Sequence, residues 1–200
     1  MNAIRLTGDP PSAEPFRGRP PGWWGMALLI ATEATLFAYL LASYFYLRFR
    51  APAWPPGGID PPELLVPTIN TAILLSSSLP MYWADAGIRH GSQARLVLGL
   101  GLSSALGAVF LSVQLFEYAR MPFSPQTNVY GSLFFTITGF HGAHVLAGLI
   151  LSGVTQIRAW LRHFNPRRYL AVETTALYWH FVDVVWMFVF ASLYVSPHLA

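Results

Sequence analysis

Apolar residues fill five long stretches of the chain, and charged residues lie mostly in the segments between them. Each stretch has about 20 or more mostly apolar residues, the length that an α-helix needs to cross a hydrocarbon layer of about 30 Å. None alternates between apolar and polar residues as a transmembrane barrel strand does, and helices satisfy their backbone hydrogen bonds internally. The pattern predicts an all-α integral membrane protein whose five transmembrane helices form one bundle, over residues 22–46, 64–83, 96–116, 131–160 and 174–195.

The segment before the first stretch differs in composition. Residues 1–21 are rich in proline and carry both signs of charge, and they contain no short apolar run followed by a small-residue cleavage site, so we expect no signal peptide. The sequence predicts an extended cytoplasmic tail over residues 1–21 and one helical membrane domain over residues 22–200. The loop after the first stretch is dense in proline and glycine, which predicts that the first helix ends at Arg50 or Ala51.

The overall composition agrees with a membrane protein. Hydrophobic residues make up 54% of the chain and charged residues only 10%, whereas a soluble domain has about 25% charged residues. The absence of cysteine excludes disulfides, iron–sulfur clusters and thiolate metal sites.

The arginines predict the orientation of the bundle. With alternating crossings, three arginines fall on one side, Arg48, Arg50 and Arg120, and nine on the other, which we call the arginine-rich end: Arg5, Arg17, Arg19, Arg89, Arg95, Arg158, Arg162, Arg167 and Arg168. Positive charge concentrates on the cytoplasmic side, so we expect a cytoplasmic N-terminus and a C-terminus on the periplasmic or outer side. The net positive charge is therefore a topological signal and indicates no nucleic-acid partner. Interfacial and lipid-contacting anchors are expected at Trp23, Trp24, Arg158, Trp160 and Arg162.

Ionisable residues inside apolar helices are the candidate functional groups. Charge near the centre of a bilayer is costly, so such residues face a bundle interior and have partners. His141 and His144 share one helix face, as do His180 and Asp183, because residues three apart lie on the same side of a helix. Two interpretations stay open from spacing alone. In the first, the four side chains bind zinc, copper or iron. In the second, they form an interhelical hydrogen-bond network that a serine or tyrosine completes.

Two further features accompany these residues. Glu33 lies about eleven residues into the first helix, far from the nearest basic residue of that helix, Arg48. The possible roles of Glu33 are proton exchange, lipid contact, a hydrogen bond to another helix, or a purely structural one. Gly139 and Gly142 flank the two histidines of the fourth helix, and small residues predict close helix packing there.

Five strings resemble subunit III of the haem–copper respiratory oxidases. They are TEATLFAYLLASYFY at 32–46, INTAILLSSS at 69–78, QLFEY at 114–118, YGSLFFTITGFHGAHVLAGLI at 130–150 and YWHFVDVVWMFVF at 178–190. The resemblance implies an accessory subunit without redox centres or cofactors of its own, in the cytoplasmic (inner) membrane of a bacterium. Its partners would be the catalytic subunit I, which holds haem and copper, subunit II, and bound phospholipids.

The resemblance also implies roles for individual residues. Glu33 would be a membrane-buried carboxylate that takes part in proton transfer or lipid binding. The subunit would support proton uptake by its neighbour and protect that neighbour from inactivation during turnover. His141, His144, His180 and Asp183 would hold the fourth and fifth helices together, with no metal bound.

The chain departs from the longer family pattern, which has seven helices where five are predicted here. Short forms of this kind occur in bacteria, and we expect helices of another subunit to take the place of the two N-terminal ones. The alternatives are an accessory subunit of a nitric-oxide reductase, a self-contained redox or metal protein, and a small proton-coupled membrane protein.

Overall fold

The computed structural model describes residues 18–57 and 59–199, in which helices are the dominant structure. The helices are α1 (Pro21–Arg50), α2 (Leu65–Arg89), α3 (Gln93–Arg120), α4 (Val129–Trp160) and α5 (Leu170–Phe190). α5 continues through a π-helical turn, Ala191–Val195, and a 3-10 turn, Ser196–Leu199. The predicted N-terminal tail lies outside the described residues up to residue 17.

The helices extend beyond the apolar stretches at their polar ends. α2 passes through Pro80 and reaches Arg89 rather than residue 83, and α3 runs from Gln93 to Arg120 rather than over 96–116. Hydropathy marks only the part of a helix that matches hydrocarbon, whereas backbone hydrogen bonding continues into the polar interface. The end of α1 at Arg50 agrees with the prediction.

Four helices are long and apolar enough to cross a membrane: α1, α3, α4, and α5 with its continuation to Leu199. α2 is the exception in the described part of the chain, because Asn70, Thr71, Ser76, Ser77 and Ser78 make it less apolar. It nevertheless packs inside the bundle, between α3 and α5.

The helices form a four-membered group with one helix added outside. α2 packs on α3 and α5, and α4 packs on α3 and α5, whereas the main contacts of α1 are with α4 and α5. Only Phe37 and Tyr44 of α1 are buried, compared with ten residues of α5. α1 is therefore peripheral, whereas α5 contacts α1, α2 and α4.

Trp179 of α5 joins three other helices. Its indole lies between Gly107 of α3 and Gly148 of α4, where added Cβ atoms would come within 2.4 Å and 3.0 Å of the ring. The indole N–H donates to Oγ of Ser77 in α2 at 2.8 Å. The absence of side chains at the two glycines is what allows the ring to enter.

The glycines beside the α4 histidines have a different setting. A Cβ at Gly139 would meet nothing within 4 Å, and one at Gly142 only Leu111, at an ordinary 3.6 Å. The prediction of close packing at these two positions is therefore wrong. The tight approaches occur elsewhere, at Gly99 against Pro80 and at Gly107 and Gly148 against Trp179.

Candidate functional site

The ionisable residues predicted for α4 and α5 do not converge on one point. The side chain of His144 turns toward α1, and His180 and Asp183 turn toward α2. Of these four side chains, only that of His141 makes a hydrogen bond across the boundary between α4 and α5. The expectation of one shared network holding these two helices is therefore replaced by three separate sites. Within residues 18–57 and 59–199, no three His, Cys, Asp or Glu side chains are placed to hold a metal ion.

Glu33 of α1 meets His144 of α4. Its Oε2 lies 3.0 Å from Nε2 of His144, and the two side chains are 28% and 14% exposed. Nδ1 of His144 lies 2.7 Å from the carbonyl oxygen of Phe140, so it must carry hydrogen in order to donate to that acceptor. The contact with Glu33 then requires a second proton, either on Nε2 or on the carboxyl group. In both forms the pair is electrically neutral overall, which lowers the cost of placing it at membrane depth.

His141 is enclosed by aromatic rings from three other helices. Its ring centroid lies 4.7 Å from that of Trp186 in α5, 5.9 Å from Phe110 in α3 and 6.4 Å from Phe37 in α1. Nε2 donates to the carbonyl oxygen of Val182 at 3.2 Å, and the residue is 1% exposed. These surroundings favour the neutral imidazole and a structural role, because a buried charge here would have no counter-ion.

Ser78 of α2 links His180 to Asp183. Its Oγ lies 2.9 Å from Nδ1 of His180 and also bonds Oδ2 of Asp183. The serine completes the predicted hydrogen-bond set, but it brings in α2 rather than α4. The run of three serines at 76–78 offers such partners, but the sequence did not indicate that Ser78 is the one that meets His180 and Asp183.

The predicted interfacial anchors lie at the arginine-rich end, at the start of α1 and around the end of α4. Trp24 and Trp160 are exposed, 55% and 64% respectively. Trp23 lies beneath the guanidinium of Arg19, 4.2 Å from it. Arg158 lies over Phe164, and Arg162 follows α4 with a positive φ of 56°. Each of these residues combines a polar group with a large apolar surface, and their role as interfacial anchors stays a prediction.

A group of ion pairs at the same end joins three helix termini. Glu173 at the start of α5 bonds Arg19 at 3.0 Å and lies 3.7 Å from Arg89 at the end of α2. Arg89 also pairs with Asp85 at 2.8 Å. Glu173 was absent from the predicted sites, because its two partners, Arg19 and Arg89, become its neighbours only when α1, α2 and α5 pack together.

At the opposite end, Arg48 of α1 bonds both the hydroxyl and the carbonyl oxygen of Ser196, the latter at 2.8 Å. Tyr44 lies 3.1 Å from the same hydroxyl and accepts the indole N–H of Trp54 at 3.0 Å. The first helix is thus bonded to the last turn of the chain. Sequence reasoning missed this contact, because nothing near Arg48 in sequence indicates a partner so distant along the chain.

Comparison with known proteins gives a consistent family assignment. The family model of cytochrome c oxidase subunit III matches residues 22–197. The cytochrome c oxidase subunit 3 of Synechocystis sp. is 38% identical over 194 residues, covering 96% of this chain and 83% of the relative. That of Thermostichus vulcanus is 38% identical over 172 residues, with 86% and 85% covered. The subunit 3 of Scyliorhinus canicula is 39% identical over 178 residues, with 86% and 68% covered.

The matched range includes all five α-helices apart from Pro21, the first residue of α1, and every polar site described above except Arg19. Together with the long apolar helices, these similarities identify a multi-pass membrane protein of the respiratory chain, and the chain belongs to the cytochrome c oxidase subunit III family.

Proposed function

We propose that this accessory subunit of a terminal oxidase acts through the Glu33–His144 pair, which holds one proton at membrane depth and fastens α1 to the bundle. The observation that carries the proposal is the pair of contacts made by His144. Because Nδ1 is committed to Phe140, the contact between Nε2 and the carboxyl group of Glu33 needs a proton. Both side chains are partly exposed, so the pair lies at the outer surface of the bundle, where a group of a neighbouring subunit can exchange that proton.

The surroundings of the pair support a role at the edge of the subunit. Phe37 lies edge-on to His144 at 5.0 Å, and the hydroxyl of Tyr178 donates weakly to the backbone oxygen of His144 at 3.4 Å. These contacts fix the imidazole against α1, which has few buried residues of its own. A change at Glu33 should therefore affect both the proton and the attachment of α1.

The wider assignment proposed here follows from family membership. The chain assembles with the catalytic subunit I, which carries haem and copper, and with subunit II, in the cytoplasmic membrane of a bacterium. It carries no redox centre, binds phospholipid near its arginine-rich end, and supports proton uptake by its neighbour. Its N-terminus is cytoplasmic and α2 is the fifth membrane-spanning helix, so that residues 22–200 form one membrane domain. The nine-to-three distribution of arginines supports this orientation.

Two substitutions at Glu33 separate the proton from the hydrogen bond. Glu33→Gln keeps an amide that can bond His144 but cannot exchange a proton, whereas Glu33→Ala removes both. We expect both variants to retain haem content and initial turnover in the purified oxidase, and both to lose activity faster during sustained turnover. Thr32→Ala is the matched control, because the exposed hydroxyl of Thr32 bonds the carbonyl oxygen of Leu29 in its own helix and joins no other helix in the part of the chain that the structure describes.

The outcomes distinguish the two parts of the proposal. Sustained turnover that is normal in Glu33→Gln and shortened in Glu33→Ala would assign the pair to attachment of α1 alone. Loss of haem from either variant would contradict the proposal, because the pair would then act in assembly of the catalytic subunit.

A further inference from the structure

We propose that the surface between α2 and α5 docks a transmembrane helix of a neighbouring subunit, whose side chain forms a hydrogen bond with Nε2 of His180. We call this surface the α2/α5 seam and define it by Ser78, Tyr82, His180, Asp183 and Met187. The inference rests on membership of an oxidase complex and adds the location and chemistry of one contact.

His180 has one nitrogen bonded and one open. Nδ1 is bonded to Ser78, whereas Nε2 makes no hydrogen bond to the residues that the structure describes and is not among the buried unpaired atoms. The side chain is partly exposed, so Nε2 opens onto the outer surface of the seam. Both ring nitrogens of His144 are bonded, and His141, although its Nδ1 is unpaired, is fully enclosed.

The depth of His180 makes an open nitrogen costly. His180 lies seven residues after Glu173, whose ion pairs with Arg19 and Arg89 mark the arginine-rich end, which places it about 10 Å further along the helix axis and so within the hydrocarbon of a bilayer about 30 Å thick. Neither headgroups nor bulk water reach this depth along an apolar surface. A polar group that faces hydrocarbon without a partner is unfavourable, so the seam requires protein against it.

The hydrogen-bond chain through Ser78 determines the chemistry of the partner. If Asp183 is ionised, Ser78 donates to it and Nδ1 of His180 donates to Ser78, so that Nε2 of a neutral imidazole is an acceptor. If Asp183 is protonated, it donates to Ser78, Ser78 donates to Nδ1, and Nε2 carries the hydrogen and is a donor. A partner that serves both states must donate and accept, which is the property of a serine, threonine, tyrosine, asparagine or glutamine side chain.

The shape of the seam is compatible with a packed helix. Tyr82 lies one turn from Ser78, and Met187 lies two turns from His180, on the same faces. They are 67% and 54% exposed, so they flank the open nitrogen with large apolar surfaces. The outer face of α4 presents Leu146, Ile150 and Val154 instead, residues that lipid covers at no cost.

Photo-crosslinking in the intact oxidase tests the location. p-Benzoylphenylalanine is placed at Met187 and Tyr82 on the seam, and at Ile150 on the outer face of α4 as the matched control, since Ile150 is 61% exposed. We expect both seam positions to crosslink to a transmembrane helix of another subunit, identified by peptide mass spectrometry, and Ile150 to give no protein crosslink. Crosslinks to lipid alone at the seam, or equal protein crosslinking at Ile150, would overturn the inference.

Two substitutions test the chemistry. His180→Asn keeps an amide near the position of Nδ1, and so the bond to Ser78, but it removes the outward nitrogen. We expect retention of the subunit in the complex during a detergent wash to fall about three- to tenfold, the effect of one interhelical hydrogen bond in a membrane. Ser78→Ala leaves the outward nitrogen in place and should reduce retention less. Unchanged retention in His180→Asn would overturn the inference. Co-purification of the unchanged subunit with haem tests the oxidase assignment separately.

Discussion

The ring of Trp179 leaves no room for a side chain at Gly107. A Cβ built there would lie 2.4 Å and 2.6 Å from two carbons of the indole, distances well inside van der Waals contact. The ring cannot move away easily, because Gly148 closes its other face and Ser77 holds its N–H. The substitution Gly107→Ala should therefore force the ring or α3 out of place.

The magnitude follows from two opposing contributions. Overpacking a core costs about 1–3 kcal/mol, and the fixed ring places Gly107→Ala near the upper value. Alanine recovers about 0.5–1 kcal/mol relative to glycine in a helix. The net loss in the free energy of unfolding should be about 2 kcal/mol, or about 4–8 °C in Tm by the scaling for chains of this size.

The matched control is Gly139→Ala, a glycine of α4 whose added Cβ meets nothing within 4 Å. It should gain about 0.5–1 kcal/mol, because only the helix preference changes. Both variants are compared with the unchanged subunit by reversible unfolding in mixed micelles. Equal stabilities for Gly107→Ala and the unchanged protein would show that the indole can shift, and the proposed role of Trp179 would fail.

Three other substitutions have defined outcomes. Asp183→Ala should lower recovery of the subunit with its complex, since it leaves the half-buried hydroxyl of Ser78 bonded to His180 alone, a loss of about 0.5–1.5 kcal/mol for one hydrogen bond. Asp183→Asn should be milder, and equal recovery of both variants would refute this. Arg48→Gln should speed proteolysis of the last turn, because it weakens two bonds to Ser196; an unchanged cleavage rate would count against it. Asn128→Ala removes the N-cap of α4 and the hydrogen bond to Pro56. Amide hydrogen exchange in the first turn of α4 should therefore accelerate, as expected for a loss of about 1 kcal/mol in helix stability. Unaltered exchange would contradict this.

The apolar pattern predicted the helices but not the pairing of their polar residues. Length and hydropathy located all five helices, and the proline-rich loop located the end of α1 at Arg50. Helical spacing placed His141 with His144 and His180 with Asp183 on common faces. It could not show that His144 faces α1 while His141 faces α5, because residues three apart on a helix still differ in direction by about 60°, and each side chain meets a different neighbour.

Contacts between distant segments were the least accessible to sequence reasoning. Glu33 and His144 are 111 residues apart, and Arg48 and Ser196 are 148 residues apart. No local pattern encodes such pairs, since each depends on where α1 lies against the completed bundle. The glycines show the same limit. The sequence predicted close packing at Gly139 and Gly142, but the ring of Trp179 lies against Gly107 and Gly148 instead.

The peripheral position of α1 has a consequence for biosynthesis. α1 leaves the ribosome before its main partners, α4 and α5. At about 5–20 residues per second, the 111 residues that separate Glu33 from His144 take roughly 6–22 seconds to translate. Throughout that interval α1 must reside beside the translocon or in lipid while the carboxyl group of Glu33 lacks its partner His144. α1 can therefore join the bundle through this pair only after α4, which carries His144, has been synthesised.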